Sequence, residues 1–190
     1  ISPNDKGGKL YEPPDKLLKL CEPLSPMIFN DLYCLLRPQV HTLSIGASRP
    51  TDFDEHVKAL GMLDQAAELI PPIVGRLEEE MKRILGADWL ADWQSGVPEW
   101  EQVPGGINVW EILRLWNYAR SLDMVEFGKM RYNLLGNAGH WFPGVNATTL
   151  ADHDLSECLV NSQFRDRIPK VLAQAHELLA GEEVKRLGKD

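Results

Sequence analysis

Apolar residues recur every three or four positions along most of this chain, which is the spacing of amphipathic helices that pack on a core. From residue 61 onward the pattern is helical almost throughout. The predicted helical segments are 63–69, 73–85, 109–116, 124–134 and 169–180, with a weaker last turn over 182–187. Pro71 and Pro72 interrupt the pattern between the first two segments, because proline lacks the amide that a helix interior needs.

The first part of the chain is predicted to mix short helices with one strand. Helices are indicated over 16–21, over 26–36 and over about 52–60. The segment from Val40 to Ile45, which lies between the last two, is rich in β-branched residues and predicts a strand. The last helix carries apolar residues at positions i, i+4 and i+7, namely Phe53, Val57 and Leu60.

A turn of small residues, Gly46-Ala47-Ser48, joins the predicted strand to the predicted helix. A helix N-terminus that follows such a turn presents free amide groups and the positive end of a dipole, which together attract phosphate. Arg49 stands beside the turn, and its guanidinium is able to bind a phosphate through two hydrogen bonds. An ordinary strand, turn and helix with a solvated arginine explains the same residues on local chemistry alone.

Composition and charge narrow the class of protein. The 190 residues carry a formal net charge of -8, which disfavours nonspecific binding to nucleic acid or to an anionic membrane. No apolar run approaches the roughly 20 residues of a membrane-spanning helix, and no secretory signal opens the chain. A cytoplasmic protein is expected. The three cysteines, Cys21, Cys34 and Cys158, are too widely spaced for a disulfide framework or a metal motif.

The stretch from Val40 to His56 resembles the last strand, loop and helix of the aldo/keto reductase barrel, where a Gly-Ala-Ser/Arg turn holds the adenosine phosphate of NADPH. The resemblance implies that Ser48 and Arg49 bind the ribose 2′-phosphate and that Glu55 braces the adenosine end. Residues 2–10 resemble the loop that lies along the cofactor's pyrophosphate. The implied cofactor-binding residues are Ser2, Gly46, Ala47, Ser48, Arg49 and Glu55. His56 stands where the family usually has an asparagine facing the adenine.

The same resemblance divides the chain into the C-terminal end of a barrel, 1–60, and an appended helical domain, 61–190. The expected fold class is mainly α, with one or two strands left from a (β/α)8 barrel. A complete barrel takes about 250 residues, so the chain is expected to be the C-terminal portion of a longer reductase that acts on a small carbonyl substrate. The family's catalytic aspartate, tyrosine, lysine and histidine belong to earlier strands. No catalytic residue is therefore assigned here, and the chain alone is expected to be inactive.

Some longer aldo/keto reductases carry a ferredoxin-like helical domain whose loops contain C-x-x-C-x-x-C-P runs, and residues 61–190 resemble that domain without its cysteines. Val97, Trp100 and Val103 occupy the cysteine spacing before Pro104. Because cluster irons need thiolate ligands, neither an iron–sulfur cluster nor another metal is expected. Tryptophan and phenylalanine packing is expected to replace the metal.

Other candidate residues leave alternatives open. The tripeptide His140-Trp141-Phe142 either lines a substrate mouth or anchors its loop on the helix that carries Trp110 and Trp116. Asp152-His153-Asp154 predicts a solvated turn rather than a metal site. A different class of function is a non-catalytic helical module that presents some of its six tryptophans to a partner protein.

Overall fold

A computed structural model of the chain describes residues 10–46, 49–137 and 143–181. Across these ranges the protein is mainly α-helical, as predicted, and contains no β-strand. Several predictions fall outside the described residues, namely those at Ser2, at Ala47 and Ser48, at His140-Trp141-Phe142 and over 182–187. Within the described ranges no helix has both the length and the apolar character that a bilayer crossing requires.

The helices differ widely in length, and short turns of 3-10 helix lie in several of the connections between them. In chain order they are α1 Asp15–Cys21, α2 Pro26–Leu35, α3 Phe53–Leu60, α4 Ala66–Leu85, α5 Ala87–Asp92, α6 Val109–Leu122, α7 Val125–Tyr132 and α8 Ile168–Leu179. The chain forms two compact units, Ile1–Glu80 and Met81–Asp190. The boundary between the units falls inside α4, whereas a boundary after residue 60 is predicted from the sequence.

The first unit is built on α1, α2 and α3, together with most of α4. The Ser25 side chain caps α2 by accepting a hydrogen bond from the Ile28 amide at 3.2 Å, as its position before Pro26 predicts. Arg76 on α4 donates hydrogen bonds to the carbonyls of Leu20 and Glu22, where α1 ends. Because those carbonyls have no partner within the helix, Arg76 ties the end of α1 to α4.

The two prolines do not interrupt α4, so the predicted break at Pro71-Pro72 is wrong. Both lie on the exposed side of the helix, as do Ala67 and Glu68, the residues whose carbonyls lose a helical partner. The opposite side is buried through Ile70 and Ile73. Packing of that apolar side outweighs the cost of the prolines, which is about 3 kcal/mol for one in a helix interior.

The predicted strand from Val40 to Ile45 is not formed in the described residues. A strand exists only through pairing with a neighbour, and no described segment pairs with residues 40–46. An alternation typical of a strand is nevertheless visible, because Leu43 and Ile45 are half-buried while Thr42 and Ser44 are exposed. The segment has the two-faced pattern of a strand without a partner.

The apolar face predicted for α3 is exposed. Phe53 is 49%, Val57 66% and Leu60 60% exposed, while the buried side of the helix carries His56 and Ala59 and packs on α2. The side of α3 that carries His56 and Ala59 is therefore covered, and the apolar side that carries Phe53, Val57 and Leu60 is left exposed among the described residues. Amphipathic spacing locates such a face but does not say which neighbour covers it.

The core of the second unit surrounds α6, which packs on α7 and α8. Asn108 caps α6, because its side-chain oxygen accepts a hydrogen bond from the Glu111 amide at 3.0 Å. Trp89 is fully buried, and its indole N–H donates to the Asn117 side-chain oxygen at 2.8 Å. The Arg167 guanidinium lies over the Trp89 ring, 4.1 Å from its centre. Large aromatic side chains therefore contribute to the interior of this unit.

Candidate cofactor-phosphate site

Arg49 begins the 3-10 turn Pro50–Asp52 that leads into α3, and the side chain of Asp52 holds it there. The Arg49 amide donates to Asp52 Oδ2 at 2.9 Å, and the Arg49 Nε donates to Oδ1 at 3.1 Å. The Asp52 carboxylate is buried, whereas the Arg49 side chain is 55% exposed. Arg49 is thus fixed at its base and open to solvent at its tip.

The Glu12 carboxylate forms a second, weaker ion pair with the tip of the Arg49 guanidinium. Arg49 Nη1 lies 3.5 Å from Glu12 Oε1, and the Glu12 side chain is largely exposed. Exposed ion pairs of this kind contribute little free energy, at most about 1 kcal/mol. An incoming phosphate, which carries more charge and accepts bidentate hydrogen bonds, is able to displace Glu12 from this arginine.

Glu55 lies in the first turn of α3 and links it to the start of α2. Its Oε1 accepts a hydrogen bond from Lys58 Nζ at 2.8 Å, and its Oε2 accepts one from the Ser25 hydroxyl. Partial burial opposes ionisation, but the bonds from Lys58 and Ser25 outweigh it and hold the pKa of the carboxyl below its usual value. In this structure the charged Glu55 positions α3 rather than projecting free beside Arg49.

His56 connects α3 to three other parts of the first unit. Its Nδ1 lies 2.5 Å from Asp31 Oδ2 on α2, and its Nε2 lies 2.6 Å from the Tyr11 hydroxyl. That hydroxyl in turn donates to the Gly46 carbonyl at 2.9 Å. Asp31 and His56 are almost completely buried. A continuous chain of hydrogen bonds therefore runs from Asp31 to the residue that opens the predicted phosphate-binding turn.

Sequence reasoning missed Tyr11 and Asp31. They lie 45 and 25 positions from His56 along the chain, and no spacing rule connects residues so far apart. The one available signal was His56 itself, which replaces the asparagine that the resemblance predicts and brings a second ring nitrogen with it. A buried histidine needs hydrogen-bond partners for both ring nitrogens, and in this structure Asp31 and Tyr11 are those partners.

Asp31, His56 and Tyr11 contact one another in the same order as the acid, histidine and hydroxyl of a nucleophilic triad. Tyr11 nevertheless does not fit the role of the nucleophile. Burial, and then the carboxylates of Asp52 and Asp31, raise the pKa of Tyr11 above its ordinary value of 10.0. The phenol accordingly keeps its proton at neutral pH, whereas a nucleophile or general base must lose it. Tyr11 acts here as a hydrogen-bond donor that holds the backbone.

The two loops that would carry cluster ligands are joined by hydrogen bonds in this structure. A parallel bridge pairs Ile107 with Val145, in which the Val145 amide donates to Gly106 at 2.9 Å and the Asn108 amide donates to Val145 at 3.0 Å. The Asn108 side chain also donates to the Pro143 carbonyl at 2.9 Å. Backbone pairing and one asparagine therefore join the described parts of the two loops, and the expected packing of Trp141 and Phe142 lies outside the described residues.

The residues at the cysteine spacing contribute apolar packing. Val103 is buried, while Val97 and Trp100 are half-buried. Across the described ranges no group of three or more histidine, cysteine, aspartate or glutamate residues is arranged to hold a metal ion. The Cys21 thiol is buried, and burial raises its pKa to about 11, which makes it a poor metal ligand and a poor nucleophile at neutral pH.

The turn predicted at Asp152-His153-Asp154 contains a local cap and a packed ring. Asp154 accepts a hydrogen bond from the Ser156 amide at 2.9 Å, and bonds from Ser156 lower the pKa of the carboxyl. The His153 ring packs against Gly105, where an added Cβ would lie 2.4 Å from its Nε2. Asp154 therefore stabilises the turn, and His153 packs against the loop that contains Gly105.

Comparison of the chain with protein-family models, with curated proteins and with solved structures found no match. The likeness to aldo/keto reductases therefore depends on the motifs of the sequence, above all the stretch from Val40 to His56. Of the six implied cofactor-binding residues, the structure describes Gly46, Arg49 and Glu55.

Proposed function

We propose that this chain contributes the adenosine-phosphate site of an NADPH-dependent aldo/keto reductase, an oxidoreductase that acts on a small carbonyl substrate. The observation that carries the proposal is the state of Arg49, which Asp52 fixes at its base and whose tip is open to solvent at the start of α3. A planar guanidinium held in this way is suited to grip a ribose 2′-phosphate through two hydrogen bonds. In the proposed site Glu55 braces the adenosine end through α3.

Two surfaces of the first unit support a barrel context. Residues 42–46 alternate between exposed and half-buried without a strand partner among the described residues, and α3 leaves Phe53, Val57 and Leu60 exposed. In a (β/α)8 barrel each strand pairs with two neighbours and each helix covers the sheet with its apolar face. Under the proposal, residues 40–46 pair with a barrel strand and α3 lies on the sheet beside it.

The residues present indicate which functions of a reductase each unit of this chain would supply. Hydride transfer to a carbonyl needs a proton donor beside the carbonyl, and the family's tetrad is not among the residues assigned here. We therefore assign cofactor binding to the first unit and no catalysis to this chain by itself. The second unit, without iron–sulfur clusters, would shape substrate access or an interface. A cytoplasmic location stays a prediction from composition.

The alternative function, a helical module that offers tryptophans to a partner protein, has less support. Trp89, Trp93 and Trp116 are buried, and Trp100 is half-buried. Trp110 is the most exposed tryptophan in the described part of the chain, at 43%, and it packs on Trp93 with ring centres 5.6 Å apart. Binding surfaces use exposed aromatic anchors, and most of these tryptophans already serve the core.

The proposal predicts that the protein prefers NADPH to NADH. The two cofactors differ only in the 2′-phosphate, and a charge-assisted pair of hydrogen bonds to Arg49 is worth roughly 1.5–3 kcal/mol, or about 10- to 100-fold in affinity. Fluorescence of the reduced nicotinamide measures both dissociation constants. Equal affinities for NADPH and NADH would contradict a 2′-phosphate site.

A further inference from the structure

Tyr11 faces two hydrogen-bond acceptors but has only one proton to donate. Its hydroxyl lies 2.9 Å from the Gly46 carbonyl oxygen and 2.6 Å from His56 Nε2. A carbonyl oxygen is always an acceptor, whereas an imidazole nitrogen accepts or donates according to its protonation. The state of His56 therefore decides which of the two contacts receives the Tyr11 proton.

The other nitrogen of His56 limits the choices. Nδ1 lies 2.5 Å from Asp31 Oδ2, so this nitrogen is in hydrogen-bond contact with a buried carboxylate. With one proton on the ring, Nδ1–H donates to Asp31, and Nε2 is left as an acceptor that takes the Tyr11 proton. With two protons on the ring, Nε2–H donates to the Tyr11 oxygen, and the Tyr11 hydroxyl is free to donate to Gly46. Both contacts of Tyr11 are hydrogen bonds only in the second state.

Two carboxylates of the first unit lie near the His56 ring. Asp31 approaches from α2, and the Glu55 carboxylate, one residue earlier on α3, interacts electrostatically with the ring. Asp52, in the turn before α3, lies close enough to raise the pKa of Tyr11 together with Asp31. Among the described residues outside its own helix, the Asp31 carboxylate and the neutral Tyr11 phenol contact the His56 ring. Lys58 and Arg49 are engaged with Glu55 and Asp52 respectively.

We propose that protonation of His56 fixes the Gly46 carbonyl through Tyr11, so that Asp31, His56 and Tyr11 act as positioning residues for the phosphate site. At low pH the His56 imidazolium donates from Nδ1 to the Asp31 carboxylate and from Nε2 to the Tyr11 oxygen, and the Tyr11 hydroxyl donates to the Gly46 carbonyl. At high pH Nε2 of the neutral His56 ring accepts the hydrogen bond from the Tyr11 hydroxyl, and Gly46 loses this donor. The inference deepens the proposed function by adding a proton-dependent control of the residue that opens the phosphate-binding turn.

The coupling is tested by nuclear magnetic resonance on the full chain, labelled with carbon-13 and nitrogen-15. The His56 ring nitrogens and the Gly46 carbonyl carbon are followed from about pH 5 to about pH 9, which spans the range where histidines titrate. We expect the Gly46 signal to change with the same midpoint as His56 and to move downfield on acidification. A Gly46 signal that does not follow His56 would overturn the proposal.

Two variants separate a proton relay from a simple structural contact. Tyr11→Phe removes only the hydroxyl, so the Gly46 step is expected to disappear while His56 still titrates. Asp31→Asn is expected to move both midpoints together to lower pH, since an amide stabilises an imidazolium less than a carboxylate does. Tyr33→Phe, at an exposed tyrosine on α2, is the matched control and should leave both signals unchanged. A Gly46 step that persists in Tyr11→Phe would overturn the role of Tyr11.

A ligand measurement distinguishes this inference from the proposed function. Affinity for adenosine 2′,5′-bisphosphate is compared at about pH 6 and about pH 8 in the wild type and in Tyr11→Phe. Because protonation of the phosphate itself affects both proteins equally, only the difference between them reports on the relay. We expect the wild type alone to gain affinity at the lower pH. Identical pH profiles would overturn the positioning role, whereas no binding at either pH would contradict the proposed function and leave the Gly46 titration as the test of the relay.

Discussion

Replacing Arg49 with alanine is expected to weaken NADPH binding by roughly 10- to 100-fold while leaving NADH binding unchanged. The physical reason is local, because the guanidinium would contact the 2′-phosphate that NADH lacks. Asp52 already holds Nε of Arg49 at 3.1 Å, so little side-chain freedom is lost when the phosphate binds. The two dissociation constants, measured by cofactor fluorescence, give the change in selectivity directly.

Two further variants control for charge and for geometry. Arg37→Ala removes a positive charge from the same unit, at an arginine whose guanidinium stacks on the Tyr33 ring at 3.9 Å, and it should leave the NADPH preference intact. Arg49→Lys keeps the charge but cannot form a planar fork, so an intermediate loss is expected. A loss of affinity in Arg49→Ala that is equal for NADPH and NADH would exclude the 2′-phosphate contact.

Gly96→Ala is expected to be the most destabilising single methyl addition among the glycines that the structure describes in the second unit. Gly96 has a φ of +72°, and a Cβ there would lie 2.2 Å from the Asn161 carbonyl oxygen and 2.7 Å from the Ser162 amide nitrogen. Both neighbours are backbone atoms, so the clash cannot be relieved by rotating a side chain. Left-handed strain and overpacking together predict a loss of roughly 2–5 kcal/mol in the free energy of unfolding.

Gly75→Ala is the matched control, since it makes the same chemical change inside helix α4. A Cβ at Gly75 meets no heavy atom within 4 Å, and alanine favours a helix over glycine by up to about 1 kcal/mol. Urea unfolding should therefore shift to lower concentration for Gly96→Ala and to higher concentration for Gly75→Ala. A Gly96→Ala protein that unfolds at the wild-type concentration would show that the backbone of Asn161 does not pack on Gly96.

Helices in this chain were predictable where a local signal decides the structure. Ser25 before Pro26, and Asn108 before an apolar run, each cap a helix in the way that their side chains indicate. Gly86, at the end of α4, adopts a φ of +91°, as a glycine after a helix commonly does. These signals act within a few residues of one another, so no knowledge of the fold is needed to interpret them.

Other predictions failed because their outcome depends on distant partners. Val40 to Ile45 has the composition of a strand but lacks a neighbour in the described structure, and Pro71-Pro72 sits in a helix whose buried side overrides the local cost. In the candidate site the sequence indicated Arg49, but the partners of His56 came from residues 45 and 25 positions away. Periodicity and capping say nothing about such contacts, which form only once α2 and α3 pack together.

The central claim is that the segment around Arg49 binds an adenosine 2′-phosphate, and adenosine 2′,5′-bisphosphate tests it most directly. This ligand occupies only the adenosine end of a cofactor site, so it needs neither a nicotinamide pocket nor a catalytic tetrad. Its 3′,5′ isomer has the same charge and size and is the matched control. The amide signals of Gly46 and Arg49 are followed as each isomer is added to the full chain.

We predict saturable changes at Gly46 and Arg49 with the 2′,5′ isomer, and an affinity for the 3′,5′ isomer that is weaker by about tenfold or more. Arg49→Ala should abolish the difference between the isomers. Equal affinities for the two isomers in the wild-type chain, or changes confined to residues of the second unit, would contradict the claim.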